Sequence, residues 1–305
     1  MIFLFLTILC SSALGLIFKY SENHHMHRYA ITTVNYIIAS TIGLILSLKN
    51  GLIVPVNTLS LSSFFNEFSE IASQNSGVLS PANSWIWAVI VGVMTGIIFL
   101  YALIYYQKSI GENGIALSAM SSRLGVLIPM SVSIVLWNEI PDNIQIVGIV
   151  LAIASIVLIN LDVNGSDSAR FRLSLIMLFV LAGIGIFCNK LFQKYGLLTY
   201  KSLFLFTVFS TALLISLVLL RQRRERGDIK DIVAGSLVGV FNLLTNYFMI
   251  LALAELKASI VFPISSAGTI ITMTLGGWLI FRERINRREL VAVGMTLVAL
   301  VLINI

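Results

Sequence analysis

The stretch 258–305 reads ASIVFPISSAGTIITMTLGGWLIFRERINRRELVAVGMTLVALVLINI, and it decides the fold because the chain contains its pattern twice. Shifted by 144 residues, 115–161 falls over 259–305 without a gap. Ser121 and Ser265, Ser122 and Ser266, Glu139 and Glu283, and Val147 and Val291 coincide, and 157–160 and 301–304 both read Val-Leu-Ile-Asn. Matches among Leu, Ile and Val arise between any two apolar helices. A shared glutamate and a shared Ser-Ser pair at fixed spacing mark an internal repeat. The register continues upstream, where 101–107 overlies 245–251.

The repeat is made of membrane material. Of 305 residues, 58% are hydrophobic and 11% charged, and the mean hydropathy is +0.96. A soluble domain carries about a quarter charged residues and could not hide that surface. A helix needs about 20 apolar residues to cross the hydrocarbon core. Ten such runs occur, at 2–20, 30–48, 85–106, 114–137, 143–161, 172–193, 202–220, 232–254, 258–281 and 289–305. A transmembrane barrel would alternate apolar and polar residues, whereas 146–161 is apolar nearly throughout. The first run lacks the basic start of a secretory signal and reads as helix one. Cys10 and Cys188 both fall inside predicted helices, with no CxxC spacing, and read as packing residues.

Five helices per half is an odd number, so the second half enters from the opposite side. The expected fold is an all-α integral membrane protein of ten transmembrane helices, built as two inverted five-helix repeats at 1–161 and 172–305. The first contains a long polar loop at 49–84. Leu59, Phe64, Phe65, Phe68 and Ile71 have rough helical spacing within it, which fits an amphipathic interfacial helix as well as a surface loop. The net charge of +6 speaks to topology rather than nucleic acid, because basic residues cluster in short loops. Fourteen lie on one set of loops and helix ends (Lys19, Arg28, Lys108, Arg170, Arg172, five in 221–230, four in 282–288) and five on the other (Lys49, Lys190, Lys194, Lys201, Lys257). The positive-inside rule then makes the richer side cytoplasmic and puts both termini outside.

On these residues the chain resembles the EamA domain of the drug/metabolite transporter superfamily. The likeness is carried by 258–305 and its partner 114–160: a hydrophobic helix ending in a glutamate (Glu283, Glu139), a short turn, then a glycine-containing last helix. Lys19 is similar to a lysine common at the end of the family's first helix, and Lys190 is its counterpart in the second half. Pro129 and Pro263 stand at non-equivalent positions, unlike the family's mid-helix prolines, so kink sites do not transfer. Many members are thought to hold both termini inside, contrary to the charge count. The resemblance implies a transporter and leaves the cargo open.

Ionisable groups inside a membrane helix cost about 2.5 to 3.5 kcal/mol at the centre and mark function by default. Arg123, ten residues into the fourth run, is the clearest: its planar fork suits a carboxylate or phosphate, the alternative being a structural or snorkelling arginine. Lys19 and Lys190 are further substrate-binding candidates or interfacial lysines. Asn242, Thr245 and Asn246 share one helix face, as do Tyr101 and Tyr105. Such amides and phenols hydrogen-bond a polar solute in a cavity or glue helices together, and the resemblance places these helices around the substrate pathway. The small stripes Ser118, Ser122, Gly125, Pro129 and Ser259, Pro263, Ser266, Thr269, Gly276 read as packing. Ser121, Ser122, Ser265 and Ser266 are secondary candidates.

All fourteen acids lie at helix ends or in loops, which disfavours proton relay through a buried carboxylate. Glu139 and Glu283 are expected to pair with Arg282, Arg284 or Arg287, or to cap the following helix. His24, His25 and His27 read as a solvated loop rather than a metal site, and no GxxxxGK[ST] loop occurs. The sequence calls for no catalytic residue, no metal and no cofactor. The expected protein is a non-enzymatic secondary transporter in the cell (inner or plasma) membrane. It moves a small polar metabolite or drug by alternating access, with the lipid bilayer and a small-molecule substrate as partners, no nucleic acid, and a monomer or homodimer as the unit. The alternatives are a flippase for a lipid-linked substrate and a membrane-embedded lipid-modifying enzyme.

Overall fold

The computed structural model describes residues 2–49, 60–74, 77–137, 142–160, 173–223, 227–255, 258–283 and 286–303. Among them all regular structure is helical: α1 (Ile2–Asn23), α2 (Arg28–Lys49), α3 (Leu61–Gln74), α4 (Pro81–Asn113), α5 (Ile115–Leu124), α6 (Leu127–Trp137), α7 (Asn143–Asn160), α8 (Leu173–Tyr195), a 3₁₀ turn at Leu198–Tyr200, α9 (Lys201–Arg223), α10 (Ile229–Glu255), α11 (Ala258–Phe281) and α12 (Arg287–Ile303). Within the bilayer a backbone must satisfy its own polar groups, so apolar sequence of this length folds as helix. Among the described residues eight helical segments are long and apolar enough to cross a membrane, Ile115–Val132 running through α5 into α6, and Asn143–Ser155 is a shorter apolar helix.

The fourth apolar run, expected as one helix, is broken between α5 and α6. Pro129 has no N–H to give the Gly125 carbonyl, which instead accepts from Ile128 at 3.0 Å, while Gly125 and Val126 donate three residues back, to Ser122 and Arg123. The break sits where α5 and α8 touch backbone to backbone. A Cβ on Gly125 would stand 2.8 Å from the Gly183 nitrogen, and one on Gly183 2.6 Å from the Gly125 carbonyl oxygen.

Small residues also set the long helix crossings, as bilayer packing requires. α4 lies against α8 and α9, α10 against α1 and α2, α1 against α11, α5 against α8, and α7 pairs with α12. On α4, Gly92 and Gly96 face the carbonyls of Phe204 and Val208 on α9. On α10, Gly235 and Gly239 face those of Ile31 and Asn35 on α2.

The 49–84 segment contains α3, so its described part is an amphipathic helix and not only a surface loop. Phe64 and Phe68 pack on Trp87, and Phe68 on Tyr195. Glu67 ties α3 to the start of α4, accepting from the Ser80 N–H at 2.6 Å, the Ser80 hydroxyl at 2.8 Å and the Asn83 amide.

Candidate functional site

The site grows from α5, an interior helix enclosed by α1, α4, α8, α11 and α12. Its neighbours in sequence are packed away, Met120 at 2% exposure and Leu124 at 0%, yet Arg123 and Ser122 keep accessible surface. Surface on an enclosed helix belongs to an internal space. The Arg123 Nη2 donates to Ser11 Oγ on α1 at 2.8 Å and to Thr269 Oγ1 on α11 at 3.2 Å. The Tyr106 ring of α4 stands within electrostatic reach of the guanidinium.

One turn toward the end of the bundle that carries Lys19 and Arg28, the space is plugged. The Tyr106 hydroxyl donates to Met273 Sδ at 3.4 Å and its ring meets Phe18 edge-on, centroids 5.9 Å apart. Gly15 makes room: a Cβ there would lie 1.9 Å from Met273 Cε and 3.3 Å from the Tyr106 hydroxyl.

A further turn out, Lys19 Nζ lies 2.5 Å from Glu283 Oε1. Glu283 Oε2 also accepts the first N–H of α5, from Ile115, at 3.2 Å. This carboxylate stabilises a helix start, where the dipole favours negative charge. Gly114 (φ 84) leaves the space for it, the carboxylate standing 3.2 Å from where a Cβ would be. Glu283 therefore pairs with Lys19 and caps α5; among the described residues it neither pairs with Arg282 or Arg287 nor caps α12. Outside this pair, Glu22 and Arg28 form a second ion pair, and Glu22 packs on Gly111 of α4.

Among the described residues, no hydrogen bond joins the remaining predicted residues to Arg123. Asn246 donates to the Asn242 carbonyl at 2.8 Å, and Asn242 donates to Asn35 Oδ1 on α2 at 3.3 Å. Gln107 of α4 bonds Thr32 on the same α2 helix at 2.9 Å. Tyr101 is 40% exposed, and the Tyr105 ring faces Lys108 at 5.9 Å. Lys190 is half-buried near the end of α8. Ser121 bonds the Leu175 carbonyl of α8 at 2.6 Å, a helix-to-helix contact, and Ser265 is buried. Glu139, Lys257 and Arg284 lie outside the described residues.

Ser11, Tyr106 and Met273 were not singled out from sequence, and Thr269 was assigned to packing. Tyr106 is adjacent to the chosen Tyr105, and a single residue turns a helix by about 100°, enough to exchange an outer face for an inner one. Ser11 is a short hydroxyl in an apolar run and carries no signal of its own.

Residues 172–305 match the model of the EamA-like transporter family. They are an EamA-like transporter domain. The family is part of the drug/metabolite transporter superfamily, and the chain is a multi-pass membrane protein. The EamA-like domain supplies Thr269, Met273 and Glu283 to the site, and the first half supplies Ser11, Lys19, Tyr106 and Arg123. An uncharacterized protein of Haemophilus influenzae is 25% identical over 304 residues, spanning 97% of this chain and 95% of that one. A crystal structure resembles the fold with a TM-score of 0.56 at 13% identity, over 99% of this chain and 96% of that chain.

Proposed function

We propose that the chain is a secondary transporter of the cell membrane that carries a small polar solute by alternating access between two inverted five-helix repeats spanning the bilayer ten times. One observation carries the reading: Arg123, on a helix enclosed by five others, keeps accessible surface and is held by hydroxyls from both halves, Ser11 and Thr269. A cation within a membrane helix costs about 2.5 to 3.5 kcal/mol at its centre, which makes it a candidate for function by default.

The packing supports the repeat. α4 on α8 and α9 is matched by α10 on α1 and α2, and α1 on α11 by α8 on α5. The Gly92/Gly96 contact with the carbonyls of Phe204 and Val208 has its counterpart in Gly235/Gly239 with those of Ile31 and Asn35. Departure from this symmetry is where two states differ. α1 packs on α4 at the Lys19 end, whereas among the described residues α8 makes no comparable contact with α10. This arrangement reads as closed at the basic, cytoplasmic end and open at the other. One chain contributes both halves of the site, which suits a monomeric unit.

The test is counterflow in liposomes. Purified protein is reconstituted into vesicles loaded with an unlabelled solute class, and uptake of the labelled member is followed for organic acids, amino acids, sugars and nucleosides. Accumulation that depends on internal unlabelled solute supports the reading. Scrambling of a fluorescent lipid with no solute exchange overturns it in favour of a flippase.

A further inference from the structure

We infer that the space at Arg123 binds its solute through a carboxylate. The inference rests on the transporter reading for its purpose but on the geometry of one guanidinium for its chemistry. Among the described residues, only Nη2 of Arg123 donates, to Ser11 and Thr269. Among the described residues Nε and Nη1 have no acceptor, although the side chain keeps accessible surface on an enclosed helix. Both acceptors are neutral hydroxyls, so among the described residues no carboxylate pairs with the positive charge. Glu283, at the start of the same α5 helix, is engaged by Lys19 and by the Ile115 N–H.

A planar fork with open donors on an interior helix selects a planar, bidentate anion. The charge count selects among anions. The register of 144 places Ala267 opposite Arg123 in the second half, so the repeat supplies no second cation, and Lys19 is neutralised by Glu283. One guanidinium balances a monoanionic carboxylate and leaves a phosphate dianion with one charge unpaired. Within electrostatic reach of the guanidinium, the Tyr106 hydroxyl donates its proton to a thioether, a weak acceptor. A carboxylate oxygen would draw it away from Met273 and thereby loosen the plug above Lys19.

The experiment is a thermal-stability titration of the purified full chain in detergent at constant ionic strength. The probes are small carboxylates and amino acids, each paired with its amide, alongside inorganic phosphate. The expected result is that at least one carboxylate raises Tm by mass action and its amide does not. Arg123→Gln weakens that ligand by roughly tenfold to a hundredfold, and Arg123→Lys weakens it less. Equal protection by acid and amide, stronger protection by phosphate than by every carboxylate, no protection by any carboxylate, or undiminished affinity in Arg123→Gln would each overturn the inference. If Arg123→Gln does not fold, the acid and amide pair on the wild-type chain decides. Counterflow of a neutral solute untouched by Arg123→Lys overturns the carboxylate and leaves the transporter standing. Carboxylate protection without counterflow supports the site and removes the transporter reading.

Discussion

Lys19 and Glu283 come from opposite halves of the chain, and their charged atoms meet at 2.5 Å where α1, α4, α5 and α11 converge. Because Glu283 also accepts the Ile115 N–H, one carboxylate fastens three elements. Losing a partner from so sheltered a pair costs about 3 kcal/mol. In a chain lacking Cys10 and Cys188, Ser118→Cys is a reporter, since Ser118 is fully buried just inside this closure. Lys19→Met is expected to speed its labelling by an impermeant maleimide by about tenfold or more. The exchange of Lys19→Glu with Glu283→Lys is expected not to restore protection, because a lysine at 283 would face the positive end of α5. Full rescue by the exchange would reduce the role of Glu283 to a simple ion pair.

Asn35, Asn242 and Asn246 make a ladder from α2 into α10, and its rungs are not equivalent. Asn35 is fully buried, whereas Asn242 and Asn246 are half-buried. Interhelical hydrogen bonds in membranes average about 0.6 kcal/mol. Asn246→Ala, whose donated bond stays within α10, is expected to leave yield and Tm near wild type while changing solute affinity. Asn35→Ala is expected to lower Tm clearly, because it strips Asn242 of its partner on α2. Equal Tm losses in the two variants would make the ladder purely structural.

Much of this architecture was readable from sequence because the bilayer forces the pattern: apart from Gly114 and the break at Gly125 and Val126, the ten apolar runs are helical wherever they are described. The break after Leu124 was not read, although its cause was in view, since Pro129 stands four residues after Gly125 and removes the N–H that the Gly125 carbonyl would accept. Arg123 could be singled out because a charge inside an apolar run is conspicuous. Ser11 and Met273 could not, because a serine or a methionine in a membrane helix is commonplace until the fold puts it beside a cation or a phenol. The partner of Glu283 was misread for a related reason. Near neighbours in sequence offered Arg282, Arg284 and Arg287, and among the described residues the fold supplies a lysine from the other half.

Gly125 tests the packing of the broken helix. An added methyl would stand 2.8 Å from the Gly183 nitrogen and 3.0 Å from the Ser122 carbonyl oxygen, both backbone atoms that cannot swing aside. Gly125→Ala is expected to lose about 1 to 3 kcal/mol, the usual cost of overpacking, read as a lower Tm in detergent. Gly294→Ala is the control, since nothing lies within 4 Å of its added methyl, and it is expected to leave Tm unchanged or slightly raised. Matching losses in the two would show that helix propensity, not the α5 to α8 contact, governs both.

Glu67 makes the docking of α3 dependent on pH. Partial burial pushes its carboxyl up, and the bonds from Asn83 and from the Ser80 N–H and hydroxyl outweigh that and hold it below the usual carboxylate range. A depressed folded value means that the stabilisation is complete above the unfolded value, about 4.3, and is lost as pH falls through the lower folded one. Hydrogen exchange over Leu61–Gln74, corrected for intrinsic rates, is therefore expected to be slow near neutrality and to accelerate only in acid. Emission from Trp87, whose ring lies 4.9 Å from Phe68, is expected to change over the same range. Glu67→Gln keeps the shape but donates where the native group accepts, so its exchange is expected to be fast and flat with pH. A variant as protected as the wild type near neutrality would mean that the aromatic contacts with Trp87 and Tyr195, and not the carboxylate, hold α3 in place.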